Sequence, residues 1–201
     1  MMLQEALRLS LPPNHIECFD NSNFHGTNAV AACVVFKNGL PASAEYRHFN
    51  IKTVQGSDDF ASMKEIVFRR YRRCLDENVP LPNLIVIDGG KGQLSAALEA
   101  LDSLKLKGKI PIIGLAKKLE EIYFPGDRNS LKLNQNNPGL LLLQHIRNEA
   151  HRFGITHHRN KRSSNFLQTE FESIPGIGPN YLIKIQKISL TKSKEFYTLK
   201  A

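Results

Sequence analysis

Residues 84–101 read LIVIDGGKGQLSAALEAL, and this stretch decides the fold. Leu84, Ile85, Val86 and Ile87 form an unbroken apolar run, the pattern of a strand buried on both faces. The GQLSAALEALDSL that follows reads as a helix. Asp88 closes the strand just before Gly89-Gly90-Lys91-Gly92. In α/β sheets ligands bind at the carboxyl ends of strands, so position alone makes Asp88 a site candidate. The loop is not a Walker phosphate loop. That motif needs Gly six residues before the Lys and Ser or Thr directly after it, where this chain has Ile85 and Gly92. Two readings of the residues remain. In one, the glycines admit a substrate backbone, Asp88 holds a hard cation and Lys91 meets a phosphate as a point charge. In the other, the segment is a glycine-rich strand-to-helix turn and Asp88 caps the helix.

Upstream, IECFDNS (16–22), NAVAACVVFKNG (28–39) and SAEYRHFNI (43–51) read as three strands of an antiparallel meander, with turns at Gly26 and Asn38-Gly39. From Ser57 the period changes. Phe60, Met63, Val67 and Cys74 recur at helical spacing behind a Ser-Asp-Asp start, and Arg69, Arg70, Arg72 and Arg73 fall late, where the helix dipole favours them. Downstream, IPIIGLAK (110–117) reads as a further strand and EEIYFP with LKLNQ as a hairpin. LLLLQHIRNEAHRFGITHH (140–158) reads as a long helix after Pro138-Gly139. The class is α/β with a mixed sheet. HHRNKRSSN (157–165) reads as a basic linker, and FESIPGIGPNYLIKIQKI (171–188) as two apolar pieces hinged on Pro-Gly-Ile-Gly-Pro. The expected organisation is therefore a helix and linker over 1–15, a main domain over 16–162 and a small helical segment over 163–201.

Asp20 sharpens the reading of Asp88. Ile16, Cys18 and Asp20 share one face of a strand that otherwise reads as central, and a carboxylate there is costly unless paired or metal-bound. Two acids at the ends of core strands point to a shared cation in the cleft; the alternative is a hydrogen-bonded structural Asp. On the long helix, His151 and Arg147 lie one turn apart and point to one face, while His145 faces elsewhere. Spacing alone makes His151 a satisfied polar residue. Asp58 and Asp59 have the positions of acids that favour a helix N-terminus.

A 201-residue chain that is 41% hydrophobic supports one main core. The net charge is +8, and residues 140–201 hold ten of the 27 basic residues but only four of the 19 acidic ones. That asymmetry suits a polyanion, nucleic acid or an anionic membrane face, the alternative being a merely solvated basic face. Cys18, Cys33 and Cys74 are odd in number and sit in apolar contexts, which points to buried thiols in a reducing cytoplasm and to neither a disulfide framework nor a zinc knuckle. The opening MMLQEALRLSLPPN lacks the apolar core of a signal peptide, and no run reaches membrane-spanning length, so a soluble cytoplasmic protein is expected.

IECFDNS, VAACVVFKNG, GSDDFASM, LIVIDGGKGQL, LLLLQHIRNEAHRF, HHRNKR and SIPGIGP occur in one order, and together they resemble the C-terminal half of the UvrC family. That family supplies the incision subunit of bacterial nucleotide excision repair. The resemblance runs from about Ile16 to about Ile188. It implies an RNase H-like fold and a divalent-metal endonuclease that makes the 5′ incision beside a DNA lesion, using Mg²⁺ or Mn²⁺. It places the metal ligands at Asp20, Asp88 and His151, adds Asp59 as a further acid tied to activity, and leaves His151 as either ligand or proton shuttle. Lys91, Arg147 and Arg152 are the expected phosphate contacts near the site. SIPGIGP resembles a helix-hairpin-helix, in which Gly176 and Gly178 expose backbone N–H groups to a DNA phosphate and Lys184 adds charge, with Arg159, Lys161 and Arg162 leading into it. Implied partners are damaged double-stranded DNA and UvrB, with UvrA upstream, in a response to DNA damage of the SOS type. ISLTKSKEFYTLKA offers no second hairpin, and the family's N-terminal nuclease domain and UvrB-docking segment have no counterpart in these residues. A fragment or short form is therefore expected. The rival readings are a non-catalytic DNA-binding module and another RNase H-like nuclease such as a junction resolvase.

Overall fold

Two strands form the centre of the sheet, each buried along all but one end residue. They are β1 (His15–Asp20) and, later in the chain, LIVID at Leu84–Asp88. The computed structural model describes residues 2–21, 30–52, 58–117 and 120–172, with the side chains of Met2, Val30 and 157–172 outside that description. A short helix α1 (Met2–Ala6) precedes β1. Strands β2 (Val30–Lys37), β3 (Leu40–Pro41) and β4 (Arg47–Asn50) follow it. Helix α2 (Asp59–Asp76) leads to β5 (Leu84–Asp88), α3 (Lys91–Ser103), β6 (Ile112–Ala116), β7 (Glu121–Tyr123) and α4 (Pro138–Glu172).

The sheet runs in the order β3-β2-β1-β5-β6-β7, with β4 also paired to β2. β1 is antiparallel to β2 and parallel to β5, β5 is parallel to β6, and β7 returns antiparallel. This is the mixed α/β sheet the sequence predicts. Strand alternation sorts the core into two layers. Phe19, Ile85 and Ile87 pack on one side with Met63, Tyr71 and Leu101 of α2 and α3. Ile16, Cys18, Val86 and Leu115 pack on the other side with Leu143, Ile146 and Ala150 of α4. Leu3 and Leu7 join that second layer, so the N-terminal segment packs against the main core.

Two local outcomes differ from the sequence reading. The third expected strand, 43–51, contracts to β4, because Ser43–Glu45 form a 3-10 turn. Pro41 and the small residues after it are poor strand formers. Second, the predicted linker 157–165 has helical backbone, as α4 continues to Glu172. No Gly or Pro interrupts 155–172, so nothing in that stretch stops a helix. In line with the Ser-Asp-Asp start, the acid that caps α2 is Asp58, whose Oδ1 accepts from the N–H groups of Phe60 and Ala61. The chain separates into two compact units, residues 1–155 and 156–201. Gly176, Gly178, Lys184 and the expected hairpin lie outside the described residues, as do the side chains of Arg159, Lys161 and Arg162.

Between β1 and α2 sits a buried charge. Glu17 is 1% exposed, and its carboxylate accepts from Arg70 through Nη2 at 2.5 Å and Nε at 3.1 Å. The Tyr71 hydroxyl donates to it at 3.1 Å, and His15 Nε2 lies 3.4 Å away. Burial pushes the Glu17 carboxyl up, but His15 and the Arg70 guanidinium more than reverse this and hold it down to about 2.

β6 approaches the end of β5 through a glycine. A Cβ on Gly114 would stand 3.0 Å from the Gly89 carbonyl oxygen and 3.5 Å from Leu94 Cβ. The first of these neighbours is backbone and cannot swing aside. Gly114→Ala should therefore destabilise the fold by about 1–3 kcal/mol through overpacking, measured by urea unfolding. A variant as stable as the parent would show that the loop after Asp88 yields freely.

Candidate metal centre

The trio is assembled by strand direction. β1 and β5 are parallel neighbours with Phe19 opposite Ile87, so their last residues, Asp20 and Asp88, stand side by side at the same rim of the sheet. Both continue the parity of Cys18 and Val86 and face the α4 side. Helix α4 crosses that face and brings His151 over them. His151 Nδ1 lies 3.1 Å from Asp20 Oδ2, and Asp20 is only 6% exposed. One ligand atom from each of Asp20, Asp88 and His151 can be chosen so that all three lie within 4.8 Å of one another. The end of this part of α4 is fixed by Phe153, whose carbonyl contacts His48 Nε2 at 3.0 Å and whose ring stacks on His48 at 3.7 Å. Next to it, Gly154 lies over the sheet rim, where an added Cβ would make only ordinary van der Waals contacts, 3.6 Å from Ala32 Cβ and 3.9 Å from Asp20 Oδ2.

The electrostatics are those of two acids sharing little water. Burial, and then the Asp20 charge, push the Asp88 carboxyl up to about 6, against the opposing charges of Arg147, His151 and Lys117. A divalent cation would relieve that mutual repulsion. The donor set, two carboxylate oxygens and an imidazole nitrogen, is one that Mg²⁺ or Mn²⁺ accepts, the imidazole being better suited to Mn²⁺. The residues fit the ion.

The other expected site residues lie as follows. Asp59 is the first residue of α2 and is not in the trio; its backbone carbonyl accepts from Asn21 Nδ2 at 2.6 Å, one residue past Asp20. Lys91 Nζ donates to the Arg128 carbonyl and lies 5.5 Å from the centroid of the Tyr123 ring. Arg147 is 6% exposed and donates to Glu120 Oε2 at 2.7 Å and to Asn148 Oδ1 at 3.2 Å. Arg152 is held by Glu149 through two bonds of 2.7 Å. Asp88 is not a helix cap: the N-cap of α3 is Gly90, with no side-chain cap. Nor is Gly92 open to a ligand backbone, since a Cβ there would lie 2.4 Å from the Phe60 ring. Gly92 serves the packing of α3 on α2.

Sequence reasoning passed over Lys117 and Glu120. Lys117 had a usable signal. It stands at the carboxyl end of IPIIGLA, and the rule that singles out Asp88 applies there too. Glu120 carried none, because its contact with Arg147 depends on what α4 crosses.

A mixed sheet of this order, covered by helices on both faces, is the frame of an RNase H-like endonuclease domain. The family model of the UvrC RNase H endonuclease domain matches residues 4–155, and the chain belongs to that family. It is 57% identical over 204 aligned residues to the UvrABC system protein C of Flavobacterium psychrophilum, covering 98% of this chain and 34% of that protein. It is 61% identical over 183 residues to the protein of the same name from Christiangramia forsetii, covering 91% of this chain and 31% of that one. The chain thus spans about a third of the length of the curated relatives it matches. A more distant likeness is to a solved Ciona intestinalis endonuclease V in complex with inosine-containing DNA, at 19% identity and a TM-score of 0.37, over 53% of this chain and 46% of that one. Among the described residues no helix is long and apolar enough to cross a membrane.

Proposed function

We propose that this chain carries the catalytic centre for the 5′ incision of bacterial nucleotide excision repair, hydrolysing a DNA phosphodiester with Mg²⁺ or Mn²⁺ held by Asp20, Asp88 and His151. The observation that supports this most directly is the convergence of those three side chains at the sheet rim. A divalent cation bound there lowers the pKa of water and offsets charge that develops on the phosphate. Asp88 must give up its proton to become a ligand, and its raised proton affinity is the cost first of burying it and then of placing it beside Asp20. Asp20 orients the His151 ring through Nδ1 and so determines which tautomer the ring presents, whether it binds metal or carries a proton. Asp59 contributes from the start of α2, which Asn21 ties to the end of β1. The substrate is damaged double-stranded DNA, delivered by UvrB after UvrA has loaded it. The C-terminal hairpin with Gly176, Gly178 and Lys184, together with Arg159, Lys161 and Arg162, adds phosphate contacts in the cytoplasm, under SOS-type demand.

The test is nicking of a lesion-containing duplex in the presence of UvrA, UvrB and Mn²⁺. Asp20→Asn should lower the rate by about 100-fold or more while leaving duplex binding within about twofold of the parent. Unchanged, metal-dependent nicking in Asp20→Asn would overturn the assignment. Intact binding with no nicking by the parent chain would make it a binding module.

A further inference from the structure

A phosphodiester brought to this rim adds negative charge beside two carboxylates, so an uncommitted cation is needed close by. The three described cations that the sequence offers are already engaged: Lys91 with the Arg128 carbonyl, Arg147 with Glu120, and Arg152 with Glu149. Lys117 differs. It directly follows β6, which runs parallel to β5 with Leu115 opposite Asp88. Lys117 thus stands two residues beyond the neighbour of Asp88, at the same rim. It also continues the parity of Ile113 and Leu115, which face the α4 side of the sheet with the trio. It is exposed and makes no hydrogen bond or ion pair among the described residues. Its charge acts on the Asp88 carboxylate, so it is near the site without being clamped to it.

We infer that Lys117 is the phosphate-contacting cation of this site, its ammonium meeting a non-bridging oxygen of the DNA strand held over Asp20 and Asp88. This rests on the nuclease reading for the identity of the polyanion, but not on any particular metal. The contact is a point charge on phosphate, so it carries no base preference and arginine should substitute for lysine.

The experiment uses the whole chain and a fluorescein-labelled duplex, followed by anisotropy across a salt series in EDTA, with Mn²⁺ calorimetry on the same proteins without DNA. Lys117→Gln should weaken duplex binding by about 3- to 10-fold and make the slope of log K against log salt shallower by about 0.9. Lys117→Arg should bind within about twofold of the parent. Lys64→Gln, on α2 across the sheet, should match the parent on both counts. Mn²⁺ affinity in Lys117→Gln should be no weaker than in the parent. The inference is overturned if Lys117→Gln keeps the parental affinity and slope, if Lys117→Arg is as weak as Lys117→Gln, or if the parent binds no duplex. If the parent binds no Mn²⁺ while Lys117→Gln still shows the loss, the metal reading falls and the phosphate contact stands. If Mn²⁺ binds and the loss is missing, the reverse holds.

Discussion

Asp88→Asn should make the metal-free protein more stable at pH 7.5, by about 1–3 kcal/mol, while lowering its Mn²⁺ affinity by about 100-fold or more. Both effects have one origin. The Asp88 carboxyl has its pKa raised from the ordinary 3.8 to about 6, first by burial and then by Asp20. Between about pH 4 and 6 the folded protein therefore holds this proton more tightly than the unfolded chain does. The stabilising contribution of the protonated acid is complete below the unfolded pKa and is lost as pH rises through the folded one. Above about pH 6 the ionised Asp88 is a net burden, and an amide removes it. The advantage of Asp88→Asn should shrink as the pH falls toward 4. Saturating Mn²⁺ should reverse the ranking, because ligand binding stabilises only the protein that binds it. Urea unfolding in EDTA and in Mn²⁺ at several pH values reads all of this. An Asp88→Asn protein less stable than its parent at pH 7.5 in EDTA would sink the argument.

Arg70→Met should cost about 3–5 kcal/mol. The substitution leaves Glu17 buried with its charge and without the bidentate partner that compensates it, and the Tyr71 hydroxyl and His15 cannot replace a guanidinium. The loss should be largest near neutral pH. The Glu17 carboxyl is held down to about 2, so its contribution is present above the unfolded value of about 4.5 and fades as pH falls toward 2. Replacing both partners, Glu17→Met with Arg70→Met, should recover most of the loss, since an apolar pair of similar volume carries no desolvation penalty. A single variant within about 1 kcal/mol of the parent would mean that water reaches Glu17 despite its burial.

Much of the fold was legible because its centre is made of runs with one interpretation. LIVID, short and followed at once by Gly89-Gly90, reads as a doubly buried strand, and the alternation of Ile16, Cys18 and Asp20 gives the face on which an acid at the end of β1 lies. What strand parity cannot give is the path of a helix across a sheet. The partner of Arg147 was illegible for that reason, since Glu120 comes from the turn before β7; Glu149, one turn from Arg152 on the same helix, was readable from spacing. Gly92 shows a different limit. Glycine signals close approach but does not say of what, and at Gly92 the approaching group is the Phe60 ring, while Gly90 is open. The basic stretch 157–165 shows the limit of composition, because a helix and a linker can share the same residues.

His151 and Asp20 are 131 residues apart in the chain. One comes from the first strand and the other from the last helix of the same compact unit. During synthesis every strand of the sheet leaves the ribosome before the residue that completes the trio. A nascent chain can therefore pair its strands and close most of its core while still lacking an assembled cutting site, and a chain truncated anywhere before α4 cannot form the trio.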